Sequence, residues 1–274
     1  MAPTPLDAPY RLSPEHLDAF RERGYVRLPR VLDPETLRDA GTAVASEVAA
    51  RNPLRDKPPE QRTTYERAFI QVVNLWRVNE TVRRFVFSRR LARIAAELMG
   101  VAGVRLYHDQ ALFKEAGGGL TPWHVDQYYW PLDTPNTCTA WIPLQETPLA
   151  MGPLAFSPGS HRFARGRDLA IGDESEAVLS EALARAGFGE DAAPFALGDV
   201  SFHYGWTFHR AGPNRTERPR RAMTIIYMAD GARLIPPARA EHHADRDAFL
   251  PGLAPGDPAA TPMNPLLFHE KGEM

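Results

Sequence analysis

Up to about residue 100, apolar positions recur at helical spacing. Ser13, Pro14 and Glu15 supply a cap, a first-turn proline and an acidic first turn, and Gly24 supplies the stop. Leu17 and Phe20 share one face of that helix. YVRLPRVL (25–32) reads as a short strand, and Asp33-Pro34-Glu35 opens a second helix ending near Arg51. NPLRDKPPEQRTT (52–64) is a polar, proline-rich loop and a candidate lid. Ser88 caps a further helix in which Leu91, Ile94, Ala95 and Leu98 fall at i, i+3, i+4 and i+7 before Gly100.

From residue 104 the period changes. VRLYHDQALFK (104–114), TCTAWIPLQET (137–147), GPLAFSPGSH (152–161), DVSFHYGWTFHR (199–210) and RAMTIIYMAD (221–230) are short and rich in aromatic and β-branched residues. Turn clusters such as EAGGGLTP, PLDTPN and AGPNRTERP separate them. This pattern predicts an antiparallel sandwich or barrel rather than a βαβ sheet. An alanine-rich charged stretch at 168–187 predicts an inserted helix or lid, and 233–274 reads as an irregular tail. The expected organisation is one domain: a helical part at about 12–100, a β core at about 101–232, and the tail.

Composition narrows the chemistry. The 274 residues carry a net charge of −2, which removes the electrostatic reason to expect nucleic acid or an acidic membrane as partner. One cysteine, Cys138, against nine histidines excludes an internal disulfide framework and a cysteine-based cluster. Any metal site must therefore use imidazole and carboxylate. The opening MAPTPLDAPYRLSPEH lacks the basic-then-apolar order of a signal peptide, and no long apolar run is present, so a cytoplasmic protein, monomeric or homodimeric, is expected.

Within the β region Trp123-His124-Val125-Asp126 places an imidazole and a carboxylate at i and i+2, on one face of a strand. Alone, such a pair also reads as a surface hydrogen bond. His209 follows roughly 85 residues later at the end of an aromatic strand, where an antiparallel neighbour could bring it alongside. Two histidines and one aspartate form the facial triad of non-heme Fe(II) oxygenases, with positions left for a co-substrate and O2. Arg220 lies eleven residues beyond His209, and its guanidinium could hold a carboxylate bidentately. Strand alternation sends Arg221 to the opposite face.

Taken together, WHVDQ, AWIPL, GPLAFSPGSH, GDVSFHYGWTFHRAGPN and RAMTIIYM resemble the phytanoyl-CoA dioxygenase-like branch of the Fe(II)/2-oxoglutarate-dependent oxygenases. The resemblance implies a mainly β fold with a helical N-terminal elaboration, a double-stranded β-helix (jelly roll) of the cupin type. It implies His124, Asp126 and His209 as iron ligands, Arg220 as anchor for the far carboxylate of 2-oxoglutarate, and Trp141 and Gln110 beside that co-substrate. Some relatives carry a serine two residues past the distal histidine. Here that position is Ala211, and Thr139 is the hydroxyl expected to substitute. The carboxylate of Asp126 argues for hydroxylation or a related oxidation and against halogenation, which needs a small residue there.

Tyr128, Tyr129, Trp206, Asn74 and Trp76 are candidate substrate contacts, although strand aromatics are more commonly core. His108 and His203 read as half-buried strand residues, and His242, His243 and His269 as solvated. The arginines at 83, 84, 89, 90 and 93 offer either a landing site for CoA phosphates or the wet face of a helix. The expected reaction is oxidation of a C–H bond of a small organic molecule, such as a natural-product intermediate, with release of succinate and CO2. A non-oxidative cupin-like metalloenzyme and a non-catalytic ligand-binding jelly roll are the alternatives.

Overall fold

A computed structural model describes residues 5–272; residues 1–4, at the head of the N-terminal stretch, and 273–274 lie outside it. The cap chemistry of the first hundred residues produces helices at the expected places. Ser13 Oγ accepts from the His16 amide and opens α1 (Pro14–Arg23), which Gly24 ends at φ 83°. β1 (Tyr25–Leu28) is shorter than the apolar run around it, because Pro29 has no amide to donate and Arg30 turns to φ 51°. Asp33 caps α2 (Pro34–Arg51). There follow α3 (Thr64–Ala68), β2 (Ile70–Val73), α4 (Glu80–Val86) and α5 (Arg89–Met99), whose Leu91, Ile94, Ala95 and Leu98 are all buried.

The later strands are β3 (Gly103–Lys114), β4 (Thr121–His124), β5 (Thr137–Pro143), β6 (Leu154–Phe156), β7 (Asp191–Ala192), β8 (Val200–Tyr204), β9 (His209–Ala211), β10 (Arg220–Ala229) and β11 (Leu266–His269). The segment SFHYGWTFHR is two strands, not one. A turn at Gly205 carries the chain from one sheet to the other, and a side chain there would collide with Thr137, Gln127 and Trp130. The larger sheet runs β1-β8-β5-β10-β3, with β2 and β11 both on the far edge of β3; the smaller runs β4-β9-β6-β7. All pairings are antiparallel, and the two sheets form a jelly roll.

Period-two alternation on the large sheet separates packing from chemistry. Cys138, Ala140, Ile142, Met223 and Ile225 join the core shared with α1, α2, α4 and α5. The intervening Thr139, Trp141, Arg220 and Thr224 line a cavity on the other face. Arg221 is exposed, as alternation requires.

The inserted helix is present where expected, and the tail differs from expectation. The stretch at 168–187 holds α6 (Asp173–Arg185), and this helix braces the small sheet. Glu176 accepts from the Trp123 amide in β4 (2.9 Å) and from Arg210 Nη1 in β9 (2.6 Å). The tail is not irregular throughout: it contains α7 (Ala240–Phe249) and β11. α7 is pinned by His242, which is buried rather than solvated, its Nε2 lying 2.9 Å from the Tyr128 carbonyl. A helix of composition AEHHADRDAF shows little apolar periodicity, so burial of Phe249 and His242 rather than an amphipathic stripe holds it in place.

Candidate active site

His124 ends β4 and stands directly opposite His209 in β9. Val125 is extended (φ −124°, ψ 135°), so the next side chain falls on the same side as His124. Asp126 itself belongs to a short helical turn at 126–128 rather than to the strand. The three residues offer ligand atoms that all lie within 4.8 Å of one another. Asp126 Oδ1 is 3.7 Å from His124 Nε2 and 3.5 Å from His209 Nε2.

The imidazole tautomers are fixed from behind. His124 Nδ1 lies 2.8 Å from the Pro122 carbonyl and His209 Nδ1 lies 2.9 Å from the Thr207 carbonyl. A carbonyl can only accept, so each Nδ1 carries the proton and each Nε2 lone pair is free. Burial lowers both histidines, His209 the further, which keeps them neutral as ligands must be. Burial alone would raise Asp126, but His209, together with the hydrogen bond from His203, outweighs it and holds the carboxyl well below its usual range. The other oxygen, Oδ2, accepts from Thr139 Oγ1 (2.9 Å) and His203 Nε2 (3.2 Å). The donor set and its supports fit a divalent iron.

The cavity has a volume of about 350 Å³, and the triad forms part of its wall. Arg220 is 2% exposed, and its guanidinium lies over the Trp141 ring at 5.4 Å. Nη1 donates to the Gly152 carbonyl (2.9 Å) and Nη2 to Leu112 (3.4 Å); Nε has no partner, and no carboxylate pairs with the group among the described residues. Gly152 adopts φ 66°, and a Cβ there would overlap the Gly212 carbonyl. Burial without a counter-ion lowers Arg220 to about 10. An uncompensated buried cation in a cavity wall is a receptor for an anion.

Trp141, Gln110 and Thr139 line the cavity. Thr139 donates its proton to Asp126, so it is not the free hydroxyl that the alanine at 211 calls for. The cross-strand partner of Ala211 is Thr121, also in the cavity wall. Thr121 Oγ1 accepts from Lys114 Nζ (3.2 Å), which leaves its own proton available. Gln110 is tied through Gln71 to the Tyr65 hydroxyl.

Among the candidate substrate contacts only Tyr129 lines the cavity. Tyr128 is buried beneath Arg239, at 4.3 Å from its ring, and Trp206 lies under Arg167 at 4.5 Å. Asn74 (φ 55°) and Trp76 form the turn after β2. There Asp109 accepts from the Leu75 and Trp76 amides, and the Trp76 ring packs on Phe87. The arginines proposed for CoA phosphates lie outside the cavity wall. Arg84 and Arg93 pair with Glu80 and Glu97 one turn away, Arg90 binds two backbone carbonyls, and Arg83 covers Trp76 and Phe87. Sequence reasoning missed Tyr65, Thr121, His203 and Asp245, all of which face the cavity. His203 alone left a signal: it lies one residue from Phe202 and Tyr204, and so on the opposite face of β8 from those core aromatics.

Comparison with known proteins agrees with this geometry. The family model for phytanoyl-CoA dioxygenase (PhyH) matches residues 20–222. The chain belongs to the PhyH family. A methylphosphonate hydroxylase of Gimesia maris is 24% identical over 249 residues, 86% of each protein. A probable alpha-ketoglutarate-dependent hypophosphite dioxygenase of Stutzerimonas stutzeri is 26% identical over 160 residues, 56% of this chain, and the match spans about half (54%) of that relative's length. Among solved structures, the alpha-ketoglutarate-dependent carbocyclase SnoK of nogalamycin biosynthesis superimposes with a TM-score of 0.77 at 28% identity, covering 94% of this chain and 99% of SnoK. The epimerase SnoN, solved with Fe3+, alpha ketoglutarate and nogalamycin RO, gives 0.75 at 28% identity, with coverage of 93% and 98%. SnoK and SnoN share with this chain its fold, a jelly roll that carries a His-Asp-His site here.

Proposed function

We propose that this protein is an Fe(II)- and 2-oxoglutarate-dependent dioxygenase that oxidises a C–H bond of a small organic molecule, with release of succinate and CO2. The observation that carries the proposal is the joint presence, in one cavity, of the His124-Asp126-His209 cluster and the unpaired guanidinium of Arg220. A non-oxidative metalloenzyme needs a buried anion receptor beside its metal only when its own substrate is an anion. A dicarboxylic keto acid needs both features.

His124 Nε2, His209 Nε2 and one oxygen of Asp126 would hold the iron, and Arg220 with Thr121 would hold the distal carboxylate of 2-oxoglutarate. When bound, iron and co-substrate activate O2 and supply the oxidant that removes a substrate hydrogen. The protein's own contribution is position and charge. Thr139 and His203 fix the Asp126 carboxylate, and Trp141 lies under the guanidinium of Arg220. Tyr129, Trp130 and Phe249 make an apolar wall that excludes water from the reacting position. A small residue at position 126 would free room for halide; the carboxylate occupies it, and the outcome is hydroxylation or another oxidation that starts from the same hydrogen removal.

Among the described residues Arg220 is the only lysine or arginine in the wall, and the co-substrate would neutralise it. A phosphorus oxyanion, the kind of substrate named for two relatives, would find no second cation. An uncharged or cationic natural-product intermediate fits better, in line with the likeness to SnoK and SnoN. Anaerobic addition of Fe(II) and 2-oxoglutarate tests the reaction class. A weak visible charge-transfer band should form and be absent in His124→Ala, and O2 should then give succinate. Correctly folded, iron-loaded protein showing neither would refute the proposal.

A further inference from the structure

α7 closes one side of the cavity, and its lining residues Ala244, Asp245, Ala248 and Phe249 follow one helical face. Two alanines on that face leave space, and between them stands a carboxylate. Asp245 Oδ2 accepts from the Tyr107 hydroxyl at 2.9 Å. Oδ1 accepts nothing among the described residues, and Asp245 forms no ion pair there.

The nearby cations are occupied elsewhere. Arg246 turns to Asp247 (2.7 Å), Arg239 lies over Tyr128, and His243 is exposed outside the cavity wall. His108 does face the cavity, stacked on Phe249 at 4.0 Å, but burial lowers it to about 4, so it is neutral. No cationic side chain acts on Asp245 among the described residues. Burial raises Asp245 to about 7, the response of a carboxyl that lacks a cation. The same cavity wall includes the aromatic residues Tyr65, Tyr129 and Phe249. A carboxylate with no counter-ion, beside aromatic residues in a cavity wall, is the chemistry that holds an ammonium group.

We propose that Asp245 is a specificity-determining residue that binds a protonated amine on the substrate and so orients the substrate toward the His124-Asp126-His209 cluster. This rests on the dioxygenase reading and names the class of its substrate. Tyr107 holds the carboxylate in place, and the anchoring of α7 by His242 fixes it at the cavity wall.

The test uses matched triples that differ in one group: cyclohexylmethylamine, cyclohexylmethanol and cyclohexanecarboxylate, and glucosamine, glucose and glucuronate. Binding to the Zn(II)- and 2-oxoglutarate-loaded full chain is measured by saturation-transfer NMR. The amine of each triple should bind about tenfold more tightly than the alcohol, and the carboxylate should not bind. Asp245→Asn should remove the amine preference, and Asp245→Glu should retain it. Equal binding of amine and alcohol, preference for the carboxylate, no binding of any amine, or an unchanged preference in Asp245→Asn would each overturn the assignment. Both variants should keep the anaerobic Fe(II)/2-oxoglutarate charge-transfer band, so loss of amine preference is separable from failure of the dioxygenase reading.

Discussion

Thr121 and Ala211 face each other across the β4–β9 ladder, so the hydroxyl missing from one strand is present on the next. Lys114 donates to Thr121 Oγ1, which turns the Thr121 proton outward as a donor. Thr121→Val should therefore weaken 2-oxoglutarate binding about tenfold, the worth of one hydrogen bond to a charged group, while leaving iron affinity unchanged. Thr121→Ser should bind nearly as wild type. Anaerobic titration of the charge-transfer band with 2-oxoglutarate reads both. An unchanged Kd in Thr121→Val would remove this residue from the co-substrate site.

Arg220 should be harder to replace. Its fork satisfies two backbone carbonyls and still has Nε unpaired, an arrangement one ammonium cannot reproduce. Arg220→Lys should raise the Kd for 2-oxoglutarate by about two orders of magnitude, the loss expected when a buried bidentate charge pair is broken. The wild-type protein loaded with Mn(II) should gain thermal stability on addition of 2-oxoglutarate by mass action, and the variant should gain almost none at the same concentration. Equal shifts would place the carboxylate elsewhere.

Asp126 depends on two residues that do not themselves touch the metal position. Thr139→Val removes one donor to Oδ2 and His203→Phe the other. Each should lower Fe(II) affinity by about 10–100-fold, the usual effect of losing a support behind a metal ligand. The two losses together should be more than additive, because either donor alone still orients the carboxylate and only the double variant loses both. Competition with a chromogenic chelator measures the affinities.

Much of this was legible in the chain. Helix starts at Ser13, Asp33 and Ser88 follow from local capping chemistry, and the ligand set follows from His-x-Asp and a distant histidine on a strand. These features depend on neighbours in sequence or on one pairing. Thr121, His203 and Asp245 depend on pairings many residues apart, and their own surroundings in sequence are ordinary. Thr139 shows the limit from the other side. Alternation placed its hydroxyl in the cavity, but whether it would face co-substrate or Asp126 was decided by the turn at 126–128. The helix in the tail is not legible in the sequence, because α7 owes its position to two buried contacts and carries no clear apolar stripe.

Lys114 pairs in register with Arg220 and is fully buried beside it. Its amine donates to Thr121 and to the Gly119 carbonyl, and no carboxylate pairs with it among the described residues. Burial first, and the charge of Arg220 second, lower it to about 6, whereas an unfolded lysine titrates near 10.4. Between these values the unfolded chain binds one proton more than the folded chain, so this residue makes stability rise with pH from about 6 to about 10. Below about 6 both states are protonated and the contribution is flat. Lys114→Met, of similar length and without charge, should lose that slope, which approaches about 1.4 kcal/mol per pH unit at its steepest. Urea unfolding at pH 6.5 and 8.5 in wild type and variant isolates the term, since other groups titrate alike in both. An identical pH dependence in the two proteins would show that Lys114 remains charged in the fold. In that case the co-substrate carboxylate would meet two fixed cations rather than one.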